Sequence, residues 1–227
     1  MLKKISLFIF TLLCILQIEK TVHAEEKVVL KPQPIYTTHT ITQKEMQDAK
    51  AAGVNIYEQL WGMRANQISR FNRLDPAYVW PGSNIRVPNL PAFDDYNPMP
   101  DFYPPSANEA KYILVVVHLQ FIGLYEYGHL VASFPVCTGT WDHPTPLVSF
   151  KITDKNATLK SNLYPKPNGG APMPMASNFF GTAYWFHGGD MVGYPASHGC
   201  VRMFLADAGW LFSWDEIGTP GKLIYSF

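Results

Sequence analysis

The chain has 227 residues, of which 47% are hydrophobic and 14% are aromatic, which is enough apolar side chain for a sizeable core in one or two domains. Lys and Arg together number 18 and Asp and Glu also number 18, so the formal net charge is zero at pH 7. A neutral chain has no long-range field that would attract nucleic acid, an anionic membrane or a strongly acidic substrate. Its target must therefore be recognised by local chemistry.

The N-terminus has the three-part organisation of a secretory signal peptide. Lys3 and Lys4 form a basic start, an apolar run covers residues 5–16, and Val22-His23-Ala24 offers a small-x-small cleavage site. The apolar run is shorter than the roughly 20 residues that span a bilayer. We therefore predict that residues 1–24 are a signal peptide, that cleavage follows Ala24, and that the mature protein is secreted without a membrane span.

Two cysteines, Cys137 and Cys200, remain after this cleavage, in a compartment that permits disulfides. A structural bridge between them is one interpretation. The residues around Cys200 favour catalysis instead, and a bridge would block that thiol.

The first part of the mature chain predicts a small module after a flexible start. Residues 25–38 are polar, contain prolines and have no clear period, which is typical of a flexible N-terminus. Residues 39–90 predict the order strand, helix, helix, strand. The first strand is expected at residues 40–42, and the last at residues 84–88 after the turn at Pro81-Gly82.

The end of this stretch resembles the LysM peptidoglycan-binding repeat, in which an Asn-x-Leu precedes a Pro-Gly turn and a short strand ending in Val-Pro. The matching residues are Asn72, Leu74, Pro81, Gly82, Val87 and Pro88. The first half departs, because Gly53-Val54-Asn55-Ile56 stands where the repeat has Gly-Asp-Thr-Leu. The resemblance implies a small βααβ LysM-like module at residues 39–90 that binds glycan strands.

The remainder of the chain predicts a linker followed by a mainly β domain. Residues 91–107 contain recurrent prolines and few large aliphatic residues, which predicts a semi-rigid linker. Residues 108–227 have the period and β-branched content of strands. We predict strands at residues 111–119, 121–126, 130–136, 147–153, 184–186 and 222–226, and one short helix at residues 205–214. Residues 155–180, rich in Pro, Asn and Met, are expected to cover a cleft.

The surroundings of Cys200 suit a nucleophilic thiol. A thiol with the ordinary pKa of about 8.5 is mostly protonated at neutral pH, so it needs a nearby base or positive charge. His187 and His198 are the candidate bases, and the glycines beside them leave room for a substrate carbonyl. A structural zinc site would need four ligands at short paired spacings, which the sequence lacks. On these grounds alone, a buried thiol and a catalytic thiol both remain open.

The run Ser197-His198-Gly199-Cys200-Val201-Arg202-Met203, preceded by His187-Gly188, resembles the signature of the L,D-transpeptidases, whose catalytic domain is of the YkuD type. The similarity covers residues 111–227 and includes the corner at Thr145-Pro146. One departure follows this corner, since the family usually has Gly two residues after the proline and this chain has Val148. The resemblance implies a mainly β, sandwich-like or barrel-like catalytic domain with one short helix.

The resemblance also implies a role for each residue of the motif. Cys200 would be the nucleophile and His187 the general base, with the Gly188 carbonyl orienting the base. The supporting residues would be Ser197 and His198, which shape the site, Gly199, whose N–H contributes to an oxyanion hole, and Arg202, which orders the loop or pairs with a substrate carboxylate. An internal ion pair is the open alternative for Arg202. The candidate substrate contacts are Tyr164, Met175, Asn178 and Trp185.

By the same resemblance, Cys200 would attack a peptidoglycan stem between its third residue, a diamino acid, and the following D-Ala. A thioester would form, D-Ala would leave, and an amine of a second stem would resolve the thioester to a 3→3 cross-link. The alternatives are an L,D-carboxypeptidase that uses water, transfer of stems to a lipoprotein, and a non-catalytic peptidoglycan-binding protein. The family implies no cofactor and no metal, a place in the periplasm or cell wall, and reaction of Cys200 with carbapenems.

Overall fold

The computed structural model describes residues 28–92, 94–165 and 167–227. The predicted signal peptide, residues 1–24, lies outside them. Within the described part of the chain, no helix is both long enough and apolar enough to cross a membrane.

An N-terminal unit, residues 36–88, is built on a two-stranded antiparallel sheet of β1 and β2. Its elements are β1 (Tyr36–Thr40), α1 (Gln43–Ala52), α2 (Ile56–Trp61), α3 (Ala65–Asn72) and β2 (Asn84–Pro88). The segment between the two strands contains three α-helices instead of the two that were predicted, because Asn55 begins a separate helix, α2, through a capping box with Glu58. Strand β1 also begins at Tyr36, within the stretch predicted to be flexible.

The side chain of Asn72 ties α3 to β2 in this unit. Its amide group donates to the carbonyl oxygens of Ile68, at 2.8 Å, and Arg86, at 2.7 Å. Its carbonyl oxygen accepts the Arg86 N–H at 2.9 Å. Because Asn72 is buried, these three hydrogen bonds satisfy polar groups that would otherwise be costly to leave unpaired.

Residues 91–107, the predicted linker, pack against the following sheet. Met99 and Tyr103 are buried with residues of the sheet. The Tyr125 hydroxyl donates to the Pro100 carbonyl at 3.1 Å, and the Tyr103 N–H donates to the Gly128 carbonyl at 2.8 Å. The large side chains between the prolines thus join the core of the C-terminal part.

The strands after residue 107 form a nine-stranded sheet within the described residues, in the order β6-β11-β3-β4-β5-β10-β9-β8-β7. Their bounds are β3 (Tyr112–Val116), β4 (Phe121–Glu126), β5 (His129–Cys137), β6 (Ser149–Lys151), β7 (Asp154–Lys160), β8 (Pro172–Phe180), β9 (Tyr184–Gly188), β10 (Val201–Met203) and β11 (Pro220–Ile224), with helix α4 at Leu205–Trp214. The pairs β9–β10 and β3–β11 are parallel, and the others are antiparallel. The predicted fold class, mainly β with one short helix after the N-terminal unit, is confirmed.

Strand β3 is buried on both faces, which explains its uninterrupted apolar sequence. Ile113 and Val115 pack in one core cluster, which also contains Leu211 from α4. Leu114 and Val116 pack in a second cluster, which also contains Met99 and Tyr103. Residues 91–107 and α4 therefore cover different faces of the central strands.

Residues 155–180 were predicted to be a cover, and most of them form strands β7 and β8. Residues 161–164 and 171, from the connection between these strands, line the site described below. The strands were missed because alternate positions of β7 are exposed polar residues with little strand signal.

Arg70 of α3 joins the N-terminal unit to helix α4. One guanidinium nitrogen, Nη1, lies 2.8 Å from both carboxylate oxygens of Asp207, and Nε lies 2.9 Å from a carboxylate oxygen of Asp95. The guanidinium also lies over the rings of Phe134 and Phe204, at 5.8 Å and 6.0 Å from their centroids. Burial raises the pKa of Asp207 although Arg70 acts in the opposite direction. Arg70 therefore stabilises the negative charge of the buried Asp207 carboxylate.

We expect Arg70→Ala to lower the free energy of unfolding by about 3–5 kcal/mol, because it leaves the buried Asp207 carboxylate without its cation. Urea unfolding of both proteins at pH 7 measures the loss. Lys44→Ala is the matched control, since Lys44 forms an exposed ion pair with Asp48 on α1 and should cost less than about 1 kcal/mol. Equal losses in the two variants would contradict the role of Arg70.

Candidate active site

Two neighbouring parallel strands place His187 and Cys200 at one cavity. His187 lies in β9 opposite Arg202 of β10, and Cys200 immediately precedes β10. Both side chains line a cavity of about 410 Å³ whose wall also contains Gly188 and Arg202. Residues that are separated along the chain are thus brought together by the pairing of β9 with β10.

The imidazole of His187 is buried and oriented by the next residue. Its Nδ1 lies 2.9 Å from the carbonyl oxygen of Gly188. Burial, with a smaller contribution from the positive charge of Arg202, lowers the pKa of His187 to about 4. The neutral ring therefore carries its proton on Nδ1, which donates to Gly188, and Nε2 has a free lone pair. This is the tautomer that a general base requires.

The thiol of Cys200 is protonated and partly exposed. Burial raises its pKa, although hydrogen bonding to the Trp185 backbone and the charge of Arg202 oppose the shift. Among the described residues its hydrogen-bond acceptor is the carbonyl oxygen of Ala183, at 3.5 Å from Sγ. Cys137, the other cysteine, is a separate free thiol, so the bridge considered from the sequence is not formed.

The loop before Cys200 has a backbone shape that only glycine adopts easily. Gly199 has φ +111°, and a Cβ there would lie 2.6 Å from the Tyr184 ring. The Ser197 hydroxyl donates to the Cys200 carbonyl and accepts the Gly199 N–H at 3.1 Å. In this structure Ser197 accepts the Gly199 N–H, and the role of this N–H in an oxyanion hole stays a prediction.

Thr145 attaches the corner at Thr145-Pro146 to this loop, a contact that was not predicted from the sequence. Its hydroxyl donates to the Gly199 carbonyl at 2.9 Å and accepts the Gly139 N–H at 2.8 Å. Gly139 is itself packed closely, since an added Cβ would lie 2.1 Å from the His143 carbonyl oxygen. The corner thus holds the backbone that presents Cys200.

The rings of His198 and Tyr164 stack beside the site, with centroids 3.9 Å apart, and His143 meets His198 edge-on at 5.0 Å. His198 and Tyr164 both line the first cavity and also a second cavity of about 540 Å³, whose wall includes Trp185 and Cys200 itself. Cys200 therefore opens onto two cavities, and the connection between β7 and β8 contributes Tyr164 to both.

The predicted substrate contacts divide into two groups. Tyr164 lines both cavities, and Trp185 lines the second. Met175 instead packs against the main core cluster, and Asn178 is buried with its side-chain oxygen bound by the Thr153 hydroxyl at 2.6 Å. Neither of the latter lines one of the two cavities at Cys200, and their contacts with substrate stay predictions.

Arg202 lines the first cavity with a guanidinium that is available to a ligand. Within the described residues no carboxylate lies within ion-pairing distance of it. Of the interpretations left open by the sequence, an internal ion pair is therefore not observed. The same part of the chain contains no group of three His, Cys, Asp or Glu side chains arranged to hold a metal ion.

A family model for the L,D-transpeptidase catalytic domain, of the YkuD type, matches residues 110–223, which is half of the chain. The chain belongs to this family. This is the family that the motif around Cys200 indicated. No curated protein matches the chain.

A solved L,D-transpeptidase shares this fold. A crystal structure from Stackebrandtia nassauensis superposes with a TM-score of 0.51 at 16% identity, over 86% of this chain and 98% of that one. A structure from Mycobacterium smegmatis gives 0.46 at 16% identity, over 51% and 58%. The catalytic domain from Enterococcus faecium gives 0.41 at 25% identity, over 51% and 98%. The chain thus spans 58% of the mycobacterial protein's length.

Proposed function

We propose that this protein is a cysteine-dependent L,D-transpeptidase that joins peptidoglycan stems by 3→3 cross-links. The observation that supports this most directly is the pair of Cys200 and His187 on one cavity, with the Nδ1 of His187 held by Gly188. A protonated thiol beside a neutral imidazole suits general-base catalysis, in which the proton moves as the bond to carbon forms.

In the first half-reaction, Sγ of Cys200 attacks the carbonyl carbon of the third stem residue while the thiol proton passes to Nε2 of His187. The side chain of Cys200 must turn from the Ala183 carbonyl towards His187 for this step. The tetrahedral intermediate collapses, its bond to the D-Ala nitrogen breaks, and His187 returns the proton to that nitrogen. D-Ala leaves and a thioester remains on Cys200.

In the second half-reaction, an amine of another stem attacks the thioester and gives a proton to His187. The carbon–sulfur bond breaks, an amide forms, and the proton returns to Cys200. The two cavities that meet at Cys200 support this scheme, because a transferase must hold a donor and an acceptor on the same nucleophile. Water in place of the amine would give a trimmed tripeptide.

We further propose that the N-terminal unit contacts glycan strands as a LysM-like module. Its support is the element order, a strand at each end of a helical segment, together with the Asn72 network that joins α3 to β2. Such a unit would keep the enzyme at its polymeric substrate in the cell envelope.

Muropeptides that carry tetrapeptide stems test the proposed reaction when they are incubated with the mature protein and analysed by mass spectrometry. We expect D-Ala release and cross-linked dimers. Stems that end in L-Ala are the matched control and should remain unchanged. Tripeptides without dimers, at high acceptor concentration, would favour the carboxypeptidase. The absence of both products would contradict the proposal.

A further inference from the structure

The N-terminal unit is hydrogen-bonded to the loop that lies between His187 and Cys200 along the chain. The Asp75 N–H donates to the Met191 carbonyl at 2.8 Å, and the Gly193 N–H donates to the Arg73 carbonyl at 2.8 Å. Between these bonds Leu74 forms an antiparallel bridge with Val192. The segment after α3 thus acts as a short strand beside residues 190–193.

This loop connects the end of β9, which carries His187, to the residues that precede Cys200. Met191 is 1% exposed, so the loop is anchored in the interior. The Arg73 guanidinium adds a hydrogen bond to the Gly193 carbonyl at 3.1 Å. The N-terminal unit is therefore a structural support of the catalytic loop rather than a separately tethered module.

The same segment places Asp75 in the wall of the 410 Å³ cavity that contains Cys200 and His187. One carboxylate oxygen accepts the Ala77 N–H at 2.8 Å, and this cap fixes the side chain at the start of the short 3₁₀ helix Pro76–Tyr78. A carboxylate has about four acceptor positions, so the remaining ones are available to a ligand. Within the described residues, no cation lies within ion-pairing distance of this carboxylate.

The electrostatics of Tyr78 indicate which charges share this space. Hydrogen bonding to Asp190 is the largest cause that raises the pKa of Tyr78, and the charges of Asp190 and Asp75 add to it, while Arg202 lowers it. Asp75, Asp190 and Arg202 all line the cavity, so two carboxylates and one guanidinium surround a ligand there. A substrate group that carries a protonated amine would be favoured beside the carboxylates.

We propose that Asp75 is a specificity-determining residue of the active site, supplied by the N-terminal unit, which binds the protonated side-chain amine of the third residue of the donor stem. The inference rests on the proposed function, because it assigns part of the donor to the first cavity. The contact between the N-terminal unit and residues 190–193 then determines how well the donor stem binds, because it places Asp75 in the cavity. Stems with a neutral third side chain would lose this contact.

The test compares two donor stems that differ only in acetylation of the third side-chain amine. D-Ala release is measured from both stems with one acceptor in common, a D-amino acid other than D-Ala. We expect the wild type to prefer the free amine by about tenfold in kcat/KM, which is the effect of one ion pair of moderate strength. Asp75→Asn should abolish the preference through a higher KM for the free-amine stem, with kcat unchanged.

Asp75→Asn suits this test because an asparagine oxygen also accepts the Ala77 N–H and preserves the cap. Asp75→Ser, which also caps and is neutral, should behave in the same way and serves if the first variant does not fold. Asp48→Asn is the control, since it removes an exposed charge of the same unit that lines neither cavity. Equal alkylation rates of Cys200 by iodoacetamide verify that the nucleophile is intact.

The outcomes separate this inference from the proposed function. If Asp75→Asn keeps the wild-type preference, or if the wild type has none, the role of Asp75 is overturned while D-Ala release still supports the transpeptidase. If the wild type releases no D-Ala from either stem, the proposed function is overturned and the role of Asp75 with it.

Discussion

Cys200→Ala is expected to abolish D-Ala release and cross-linking, because the proposed thioester cannot form without the thiol. Removing the nucleophile of an acyl-transfer enzyme typically costs on the order of 10⁶-fold in kcat. Muropeptide analysis measures the loss, and intact-protein mass spectrometry after incubation with imipenem measures acylation. The wild type should gain a single adduct and the variant none.

Cys137→Ala is the matched control for this prediction. Cys137 is also a free thiol, but it is 2% exposed and donates to the Tyr194 carbonyl at 3.2 Å. Cys137 lines neither cavity and is closed to solvent, whereas Cys200 is partly exposed on the cavity that contains His187. We expect this variant to keep its imipenem adduct and its cross-linking activity. An adduct that persists in Cys200→Ala would identify another nucleophile and contradict the assignment.

His187→Gln is expected to lower kcat/KM by about 10²- to 10⁴-fold, the usual contribution of a positioned general base. The pH profile of the wild type tests the same role independently. Because the pKa of His187 is lowered to about 4, the ring is neutral above that pH. The rate should therefore remain high as the pH falls through 6.5, and should fall only near pH 4.

His198→Gln is the control for the base, because His198 lines the same cavity but is stacked on Tyr164. We expect it to change substrate binding more than kcat. A loss in kcat/KM as large as that of His187→Gln would assign the base to His198 instead.

The lowered pKa of His187 also affects stability, with a defined sign. Between pH 6.5 and about 4 the unfolded chain binds a proton that the folded chain excludes, so stability falls as the pH falls through this window. The full effect of such a shift is roughly 3 kcal/mol. His187→Gln should remove this contribution, which urea unfolding at pH 7 and pH 4.5 would detect.

Several features followed from the sequence because their signals are local. Strand β4 has the predicted bounds, Phe121–Glu126, and α4 has those predicted for the helix, Leu205–Trp214. An apolar run bounded by turn residues specifies a strand wherever it lies, and the motif around Cys200 needs no knowledge of distant residues. The class of the catalytic domain and the family followed from such signals.

The tertiary structure decided what depends on pairing across the chain. Strand β10 has only three residues and exists because β5 and β9 flank it. The partner of the Gly199 N–H, the burial of Met175 and Asn178, and the place of Asp75 in the cavity all follow from contacts between distant segments. A sequence records which residues are able to donate, accept or ionise, whereas the packing of strands determines which of them meet. For this protein, the motif around Cys200 and the mainly β class could be predicted from the sequence alone, whereas only the folded chain brought the N-terminal unit to the cavity that contains Cys200.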